Sequence, residues 1–381
     1  MKRRACLKGL ASVAALGSGC LHCATAWAQS SWIAPARFSR PDLGSDEGGL
    51  WAMLDREETR LRRSPFMLRD APLRDYLQDI VAKLAGEHAA DIRVYPVRTP
   101  FFNASMAPNG MMQVWSGLLL RVENEAQLAA VLGHEVGHYL QRHSLQQLRD
   151  AKARSAFGMV MSMFGVVGLV GQMAALAGAF GFSRDQEREA DTIGLTLMRQ
   201  AGYDTREAAK VWENLRAEAA AAHDPVKSSP LFATHPPSEE RQRSLTRLAE
   251  ADSGGFLGSR ELDERLAGLQ QQMLEDELKR GQHGETLVLL DRLIQRSPQR
   301  GDLRYFRGEA RRQRAQGDDL DSALQDFEHA RRLGNEPVEL YRALGYLHRS
   351  REKYELAREA FALYVERAPQ AADAAMIKSF L

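Results

Sequence analysis

The chain has 381 residues, of which 44% are hydrophobic and 27% charged, and its formal net charge at pH 7 is +1. This length supports two or three domains with cores of their own, and the composition excludes a chain that is mainly disordered. There is no basic excess of the kind that nucleic-acid-binding proteins carry, so we expect no nucleic-acid partner.

The first 28 residues predict an export signal. Basic residues at its start precede an apolar run of small residues, Leu10–Leu21, and an A-x-A cleavage site ends at Ala28. All three cysteines lie inside this segment, so the mature protein has no disulfide. Residues 1–28 hold four of the 51 basic side chains and none of the 50 acidic ones, which leaves a mature net charge of −3. We expect a periplasmic protein.

Two other routes remain open for this segment. Arg3 and Arg4 resemble a twin-arginine signal, which would mean export of the folded protein, whereas the general secretory route needs only positive charge and an apolar run. The residues that end at Cys20 (Leu-Gly-Ser-Gly-Cys) resemble a lipoprotein cleavage box. Cleavage there would tether the mature protein to a membrane through a lipidated cysteine.

Residues 29–49 are rich in Ser, Gly, Pro and Asp and read as a lead-in to a first domain over residues 50–250. Periodicity predicts helices over 50–62 and 70–85 and strands over 92–97 and 111–115. Residues 101–110 read as a loop that an Asn-Gly turn closes. We expect Asn103–Trp115 to form the edge of a cleft that presents backbone groups to an extended substrate.

The sequence HEVGH lies inside a helix predicted from about Glu123 to His143. Because His134 and His138 are four residues apart, both imidazoles project from one helix face and can bind a single zinc ion. Glu135 lies between them and would act as the general base that takes a proton from the attacking water. HExxH alone is a moderate signal for a zinc peptidase.

Residues 157–182 contain no charged side chain and six glycines, and they are long enough to cross a bilayer once as a helix. A single crossing would place His138 and Glu187 on opposite sides of the membrane, whereas both are expected to bind one ion at about 2 Å. We therefore predict an apolar hairpin or lid beside the site, which is also where we expect any peripheral membrane contact.

A second motif, EREAD, follows at residues 187–191. Ser183 and Gln186 form a capping box, so a helix is expected to begin there with Glu187 in its first turn. Glu187 is predicted to be the third zinc ligand. Asp191 is on the same face and is placed to accept the outer N–H of a ligating histidine.

Together with FATHPPSEERQ at residues 232–242, these two motifs resemble the HtpX-like and CaaX-prenyl-protease-like zinc metallopeptidases. The BepA-like type, which is soluble, exported and followed by helical repeats, is the most similar. The resemblance covers residues 50–247 and implies a zincin-type fold, one Zn²⁺ per chain with His134, His138 and Glu187 as ligands, Glu135 as catalytic base and Asp191 as the partner of a ligand.

The remaining histidines have weaker assignments. His235 is a candidate to stabilise the oxyanion or to serve as a fourth ligand that keeps the enzyme latent. His143 is expected to be too far along the helix to share the ion. We expect five others on the surface: His88, His223, His283, His329 and His348.

Residues 256–381 read as wholly helical with a repeat. Ala323 and Phe327 recur as Ala357 and Phe361, an offset of 34 residues, which resembles tetratricopeptide repeats. The alternative is a plain helical bundle. The predicted fold class is therefore α+β and mainly α, a zincin-type domain with a small sheet followed by an all-α repeat domain that offers a concave surface to a protein partner.

Two functions are consistent with this organisation. One is an exported zinc endopeptidase that removes misfolded or stalled envelope proteins, in outer-membrane protein quality control, with unfolded or misassembled envelope proteins as substrates. Its repeats would recruit those substrates or an outer-membrane assembly machine. The other is a chaperone or assembly factor that acts through the repeats while the zinc site stays latent.

Overall fold

The computed structural model describes residues 32–153, 181–222, 235 and 238–381. The contacts of the chain divide it into two units, Met1–Ile33 and Ala34–Leu381, and every element named below belongs to the second unit. The predicted export signal and residues 157–180 of the predicted hairpin or lid lie outside the described residues.

The part of the chain that contains the motifs is built from short strands and packed helices. In chain order its elements are α1 (Asp46–Arg63), α2 (Ala71–Ala85), a 3₁₀ helix (Gly86–Asp91), β1 (Arg93–Val97), β2 (Ala104–Met106), β3 (Met111–Trp115), α3 (Ser116–Arg121), α4 (Glu125–Leu140), α5 (His143–Ala153), α6 (Arg184–Gln200), α7 (Glu207–Ala220) and α8 (Glu239–Ala249).

Side-chain caps define where several of these helices begin. The Asp70 carboxylate accepts the N–H of Leu73 at 2.8 Å, so α2 begins at Ala71, one residue after the predicted start. Ser45 caps α1 in the same way, which places the start of that helix four residues before the predicted one. Such caps satisfy amide groups that the first turn of a helix leaves without partners.

The sheet has the order β1-β3-β2, with β1 parallel and β2 antiparallel to β3. The two predicted strands are present as β1 and β3, but the prediction of a loop over residues 101–110 was wrong. Ala104–Met106 form a strand there, and its three residues are too few for an alternating pattern to be visible. Pairing with β3 is what makes this segment extended.

Helix α4 lies at the centre of the fold, and all of its residues except Ala130 are buried. It packs against α2, α6, α7 and β2. The helix is shorter than predicted because it ends at Leu140, and Arg142 then adopts a left-handed backbone conformation with φ of 56° before α5 begins. The zinc motif is therefore held in the core rather than on a surface loop.

The chain after residue 256 is helical throughout its described length. Its helices are α9 (Ser259–Leu266), α10 (Gln270–Lys279), α11 (His283–Arg296), α12 (Gly301–Arg314), α13 (Asp319–Leu333), α14 (Glu339–Ser350), α15 (Tyr354–Arg367) and α16 (Ala374–Lys378).

The residues that carry the 34-residue offset pack alike in two helix pairs. A Cβ atom at Gly308 would lie 2.7 Å from the ring of Phe327, and one at Gly345 would overlap the ring of Phe361. Each glycine thus gives the phenylalanine of the next helix room to approach the backbone. This equivalence favours repeats over a plain bundle, and the assignment to tetratricopeptide repeats stays a prediction.

The predicted fold class is confirmed, since the described residues are mainly helical and contain one small sheet. The prediction that His88 lies on the surface was wrong. His88 is 2% exposed, and its Nε2 lies 2.8 Å from the carbonyl oxygen of Pro35. Among the described residues, none of the helices is both long enough and apolar enough to cross a bilayer.

Candidate metal centre

Two helices that touch at small residues position the predicted ligands. His134 and His138 lie on α4, and Glu187 lies in the first turn of α6. A Cβ at Gly194 of α6 would be 3.0 Å from the backbone nitrogen of His134, and one at Gly137 would be 3.0 Å from the carbonyl oxygen of Ala190. The backbones are close enough for a short carboxylate side chain to reach the histidines.

The start of α6 has the predicted capping box. The Ser183 hydroxyl accepts the N–H of Gln186 at 3.2 Å, and the Gln186 side chain accepts the N–H of Ser183 at 3.0 Å. This reciprocal cap fixes the first turn of the helix. Glu187, the next residue, is thereby held at a defined height beside α4.

Four side chains converge so that one ligand atom of each lies within 4.8 Å of all the others: His134, His138, Glu187 and His235. The Nε2 atom of His134 lies 3.0 Å from His138 Nε2 and 3.1 Å from His235 Nδ1. Glu187 Oε1 lies 2.7 Å from His235 Nδ1 and 3.3 Å from His138 Nε2.

This group fits a zinc ion. Ligands at about 2 Å around a tetrahedral zinc ion are roughly 3.3 Å apart, which is close to the observed separations. A hydrogen bond between two imidazole nitrogens needs a proton on one of them, so three facing nitrogens cannot all be satisfied by one another. A cation accepts the lone pairs of all three at once. Imidazole nitrogen and carboxylate oxygen are also the donor types that zinc accepts.

Burial keeps the two histidines of the motif neutral. His134 and His138 are 5% and 2% exposed, and burial lowers the pKa of both rings. Burial alone would raise the pKa of Glu187, but hydrogen bonds with His138 and His235 outweigh it and hold that pKa well below its usual range. Neutral rings and an ionised carboxylate are the protonation states that metal binding requires.

Glu135 lies beside the ligands, and one of its carboxylate oxygens is placed to accept a proton. Its Oε1 atom is buried and has no hydrogen-bond partner among the described residues, and it lies 3.6 Å from His235 Nε2. The carboxylate accepts a hydrogen bond from the backbone of Met106 in β2, while burial raises the pKa of Glu135 to about 7. A carboxyl group with such a pKa can accept and release a proton near neutral pH.

Asp191 lies where the sequence places it. Its Oδ1 atom is 3.0 Å from Nδ1 of His134, the ring nitrogen that faces away from the ligand group. A carboxylate at this nitrogen holds the ring in the tautomer whose other nitrogen can bind a metal ion.

The sequence interpretation missed Arg241, which lies near the start of α8. This guanidinium group donates to both oxygens of Asp191, at 2.7 and 2.6 Å, and its Nη1 lies 2.7 Å from Glu187 Oε2. It is 7% exposed and stacks on the ring of Trp212 at 3.9 Å. The only signal in the sequence is a basic residue six positions after His235, which an amphipathic surface helix would explain equally well.

Two further aromatic rings, those of His143 and Phe182, contact the ring of His138. His143 does not belong to the ligand group, as expected, but its Nδ1 lies 2.9 Å from Nδ1 of His138. The ring of Phe182 stacks on the His138 ring, with centroids 3.9 Å apart and planes at 25°. With His235 only 4% exposed as well, these contacts leave the described ligands enclosed by protein.

Comparison with known proteins agrees with this chemistry. Residues 68–249 match the family model described as Peptidase family M48. The mitochondrial metalloendopeptidase OMA1 of Arabidopsis thaliana is 36% identical over 172 residues, which cover 45% of this chain and 34% of that protein. The beta-barrel assembly-enhancing protease of Escherichia coli is 27% identical over 224 residues, which cover 53% of this chain and 45% of that protein.

The chain thus spans between a third and a half of the length of these relatives. The matched range contains both motifs and the four converging side chains. Peptidases of family M48 are zinc-dependent, so the predicted cofactor is confirmed as zinc, with a group of residues that could bind it. Residues 68–249, just under half of the chain, are therefore similar to the metallopeptidase domain of family M48.

Proposed function

We propose that the chain is an exported zinc endopeptidase that hydrolyses peptide bonds of misfolded or stalled envelope proteins, in outer-membrane protein quality control. The observation that supports the chemistry is the convergence of His134, His138 and Glu187 beside Glu135, whose Oε1 atom has no hydrogen-bond partner within the described part of the chain. This is the arrangement of a metal-assisted hydrolase.

When bound, the zinc ion supplies Lewis acidity, which lowers the pKa of a water molecule and polarises the carbonyl group of a peptide bond. Glu135 takes the proton of the attacking water and returns it to the leaving amine. Glu135 is buried beside the ligands, where its carboxylate can carry out both halves of that exchange. Asp191 keeps the His134 ring oriented throughout.

The free edge of β2 is the proposed position of the substrate backbone. In the sheet order β1-β3-β2, one side of β2 pairs with β3 and the other has no strand partner among the described residues. Met106 of β2 also contacts the Glu135 carboxylate through its backbone. An extended peptide paired with this edge would therefore run past the catalytic base.

His235 has two proposed roles. Its Nδ1 lies within 3.1 Å of His134 Nε2 and Glu187 Oε1, which suits a fourth ligand that takes the place of the water. Its Nε2 lies 3.6 Å from Glu135 Oε1, which suits a group that would stabilise an oxyanion once the ring moves. The first role makes the resting enzyme latent.

We predict that the mature protein binds one zinc ion and cleaves casein, and that Glu135→Gln retains zinc but loses cleavage, because the amide cannot accept the proton. Zinc content is measured by elemental analysis beside the cleavage assay. A latent enzyme would cleave only after His235→Ala. Zinc binding without cleavage in every form would contradict the peptidase proposal.

Export and envelope substrates have their own support. Residues 1–28 have the pattern of a signal peptide, and several relatives carry the name beta-barrel assembly-enhancing protease. Intact-mass measurement of the protein from a bacterial host tests the processing. A mature form that begins at Gln29 supports a periplasmic protein, a lipid on Cys20 supports a membrane-tethered one, and an unprocessed chain contradicts export.

The second candidate function is a chaperone or assembly factor with a latent zinc site. The enclosure of the ligands by Phe182 and His235 favours it, because a substrate backbone would have to displace both. In that case the protein would act through its helical repeats, which would bind unfolded envelope proteins or an outer-membrane assembly machine. The test is whether variants complement a strain that lacks the protein. Complementation by Glu135→Gln, but not by a variant with an altered repeat surface, would support this alternative.

A further inference from the structure

A chain of side-chain contacts leads away from the ligand group through His138. The Nε2 atom of this ring faces the other ligands, 3.0 Å from His134 Nε2 and 3.3 Å from Glu187 Oε1. Its other nitrogen, Nδ1, lies 2.9 Å from Nδ1 of His143, and Nε2 of His143 lies 3.3 Å from Oε2 of Glu189.

Metal binding allows only one direction for these hydrogen bonds between neutral rings. A His138 ring that binds zinc through Nε2 carries its proton on Nδ1 and must donate it. Nδ1 of His143 therefore accepts, which places the proton of that ring on Nε2, where it donates to the Glu189 carboxylate. His134 needs no such intermediate, because its Nδ1 is next to Asp191 directly.

The backbone between the two histidines is bent so that they meet. On a continuous helix, residues five apart point in directions about 140° apart and do not face each other. Here α4 ends, and Arg142 takes a φ of 56°, so His143 folds back onto His138. Arg142 is held there by an ion pair with Glu47 and by the ring of Phe38, 5.1 Å from its guanidinium carbon.

We propose that His143 is a positioning residue of the zinc centre, which fixes the tautomer and orientation of His138 and is itself oriented by Glu189. The inference rests on the proposed role of His138 as a zinc ligand. It gives each acidic residue of the EREAD motif a separate task, since Glu187 belongs to the ligand group, Asp191 serves His134, and Glu189 serves His138 through His143.

The test measures metal binding rather than cleavage. The zinc affinity of the mature protein is determined by competition with a chelator, and the visible absorption spectrum is recorded with Co²⁺ in place of zinc. His143→Leu should weaken zinc binding about 10- to 100-fold and shift the Co²⁺ spectrum, the usual effect of removing such a partner. His143→Gln should recover most of the affinity, because its amide offers one acceptor and one donor.

His88→Leu is the matched control. His88 is also a buried histidine, 2% exposed, and its ring packs on Tyr139, the residue next to His138. Among the described residues its polar and ring contacts are with Pro35, Phe38 and Tyr139 rather than with a ligand. We expect this variant to lose stability but keep the wild-type zinc affinity and spectrum. Equal losses in His88→Leu and in both His143 variants would overturn the proposal, because general destabilisation would explain them.

Wild-type affinity and spectrum in His143→Leu would overturn the positioning role while leaving the zinc enzyme intact. A wild-type protein that binds no zinc would instead overturn the proposed function, and the positioning role with it. The two failures are therefore distinguishable before any substrate is known.

Discussion

At the scale of single residues, the metal centre depends on buried charges that neutralise one another. Glu187 and Asp191 are 7% and 6% exposed, and Arg241, which donates hydrogen bonds to Asp191 and forms an ion pair with Glu187, is 7% exposed. Two carboxylates this deep would be costly to ionise without a cation beside them. Arg241 thus stabilises the apo site as well as orienting the residues that would bind zinc.

We predict that Arg241→Met lowers the free energy of unfolding by about 3–5 kcal/mol, because it leaves buried carboxylates without their cation. Urea titration of the apo protein measures this change. Arg243→Met on the same helix is the control, since Arg243 is exposed and its ion pair with Glu239 is at the surface. Its expected loss is below about 1 kcal/mol. Similar losses for both variants would refute the role given to Arg241.

At the scale of elements, the contact between α4 and α6 brings ligands from two parts of the sequence together. Small residues on both helices allow it, because a Cβ at Gly194 would meet the backbone of Gly133 and His134 at 3.0–3.2 Å. Backbone atoms cannot move aside as a flexible side chain would. The separation of the helices is therefore set by the absence of side chains, and the reach of Glu187 depends on it.

Gly194→Ala is accordingly expected to push α6 from α4, to cost about 1–3 kcal/mol of stability and to weaken zinc binding. Gly49→Ala is a matched change, since Gly49 lies within α1 with nothing within 4 Å of the added Cβ. That variant should gain roughly 0.5–1 kcal/mol from helix propensity and leave zinc affinity unchanged. Thermal unfolding measures the stability of both variants, and chelator competition measures their zinc affinity.

At the scale of the whole molecule, a buried polar cluster joins the peptidase part to the helices that follow. Arg121 of α3 bonds Glu218 of α7 at 2.6 Å and Glu277 of α10 at 2.9 Å. The side chains of Arg121 and Glu277 are 4% and 0% exposed. Burial raises the pKa of Glu277, but Arg121 and Arg280 outweigh it and hold that pKa below its usual value of 4.5.

The lowered pKa of Glu277 determines how its contribution to stability changes with pH. Because the pKa of Glu277 is lower in the folded state, its contribution is fully present above about pH 4.5 and is lost as the pH falls through the folded-state pKa. We expect Glu277→Gln to be less stable than wild type at pH 7 and the difference to shrink below pH 4. Urea unfolding of both proteins across this range, in the apo form, tests it. A difference that does not change with pH would contradict the linkage.

Features that depend on neighbours a few residues apart could be predicted from the amino-acid sequence. His134 and His138 share a face because a helix has 3.6 residues per turn, and the capping box at Ser183 follows from its own four residues. The ligand motif, the helix that carries it and the family resemblance were therefore readable before any fold was known.

Contacts between distant segments became visible only in the folded protein. Arg241 reaches Asp191 across 50 residues and His134 across 107. Strand β2 exists because β3 offers it hydrogen bonds, and His143 meets His138 because Arg142 breaks the helix. Local spacing carries no information about such partners, because each contact depends on where the packed core brings a side chain rather than on the residues beside it.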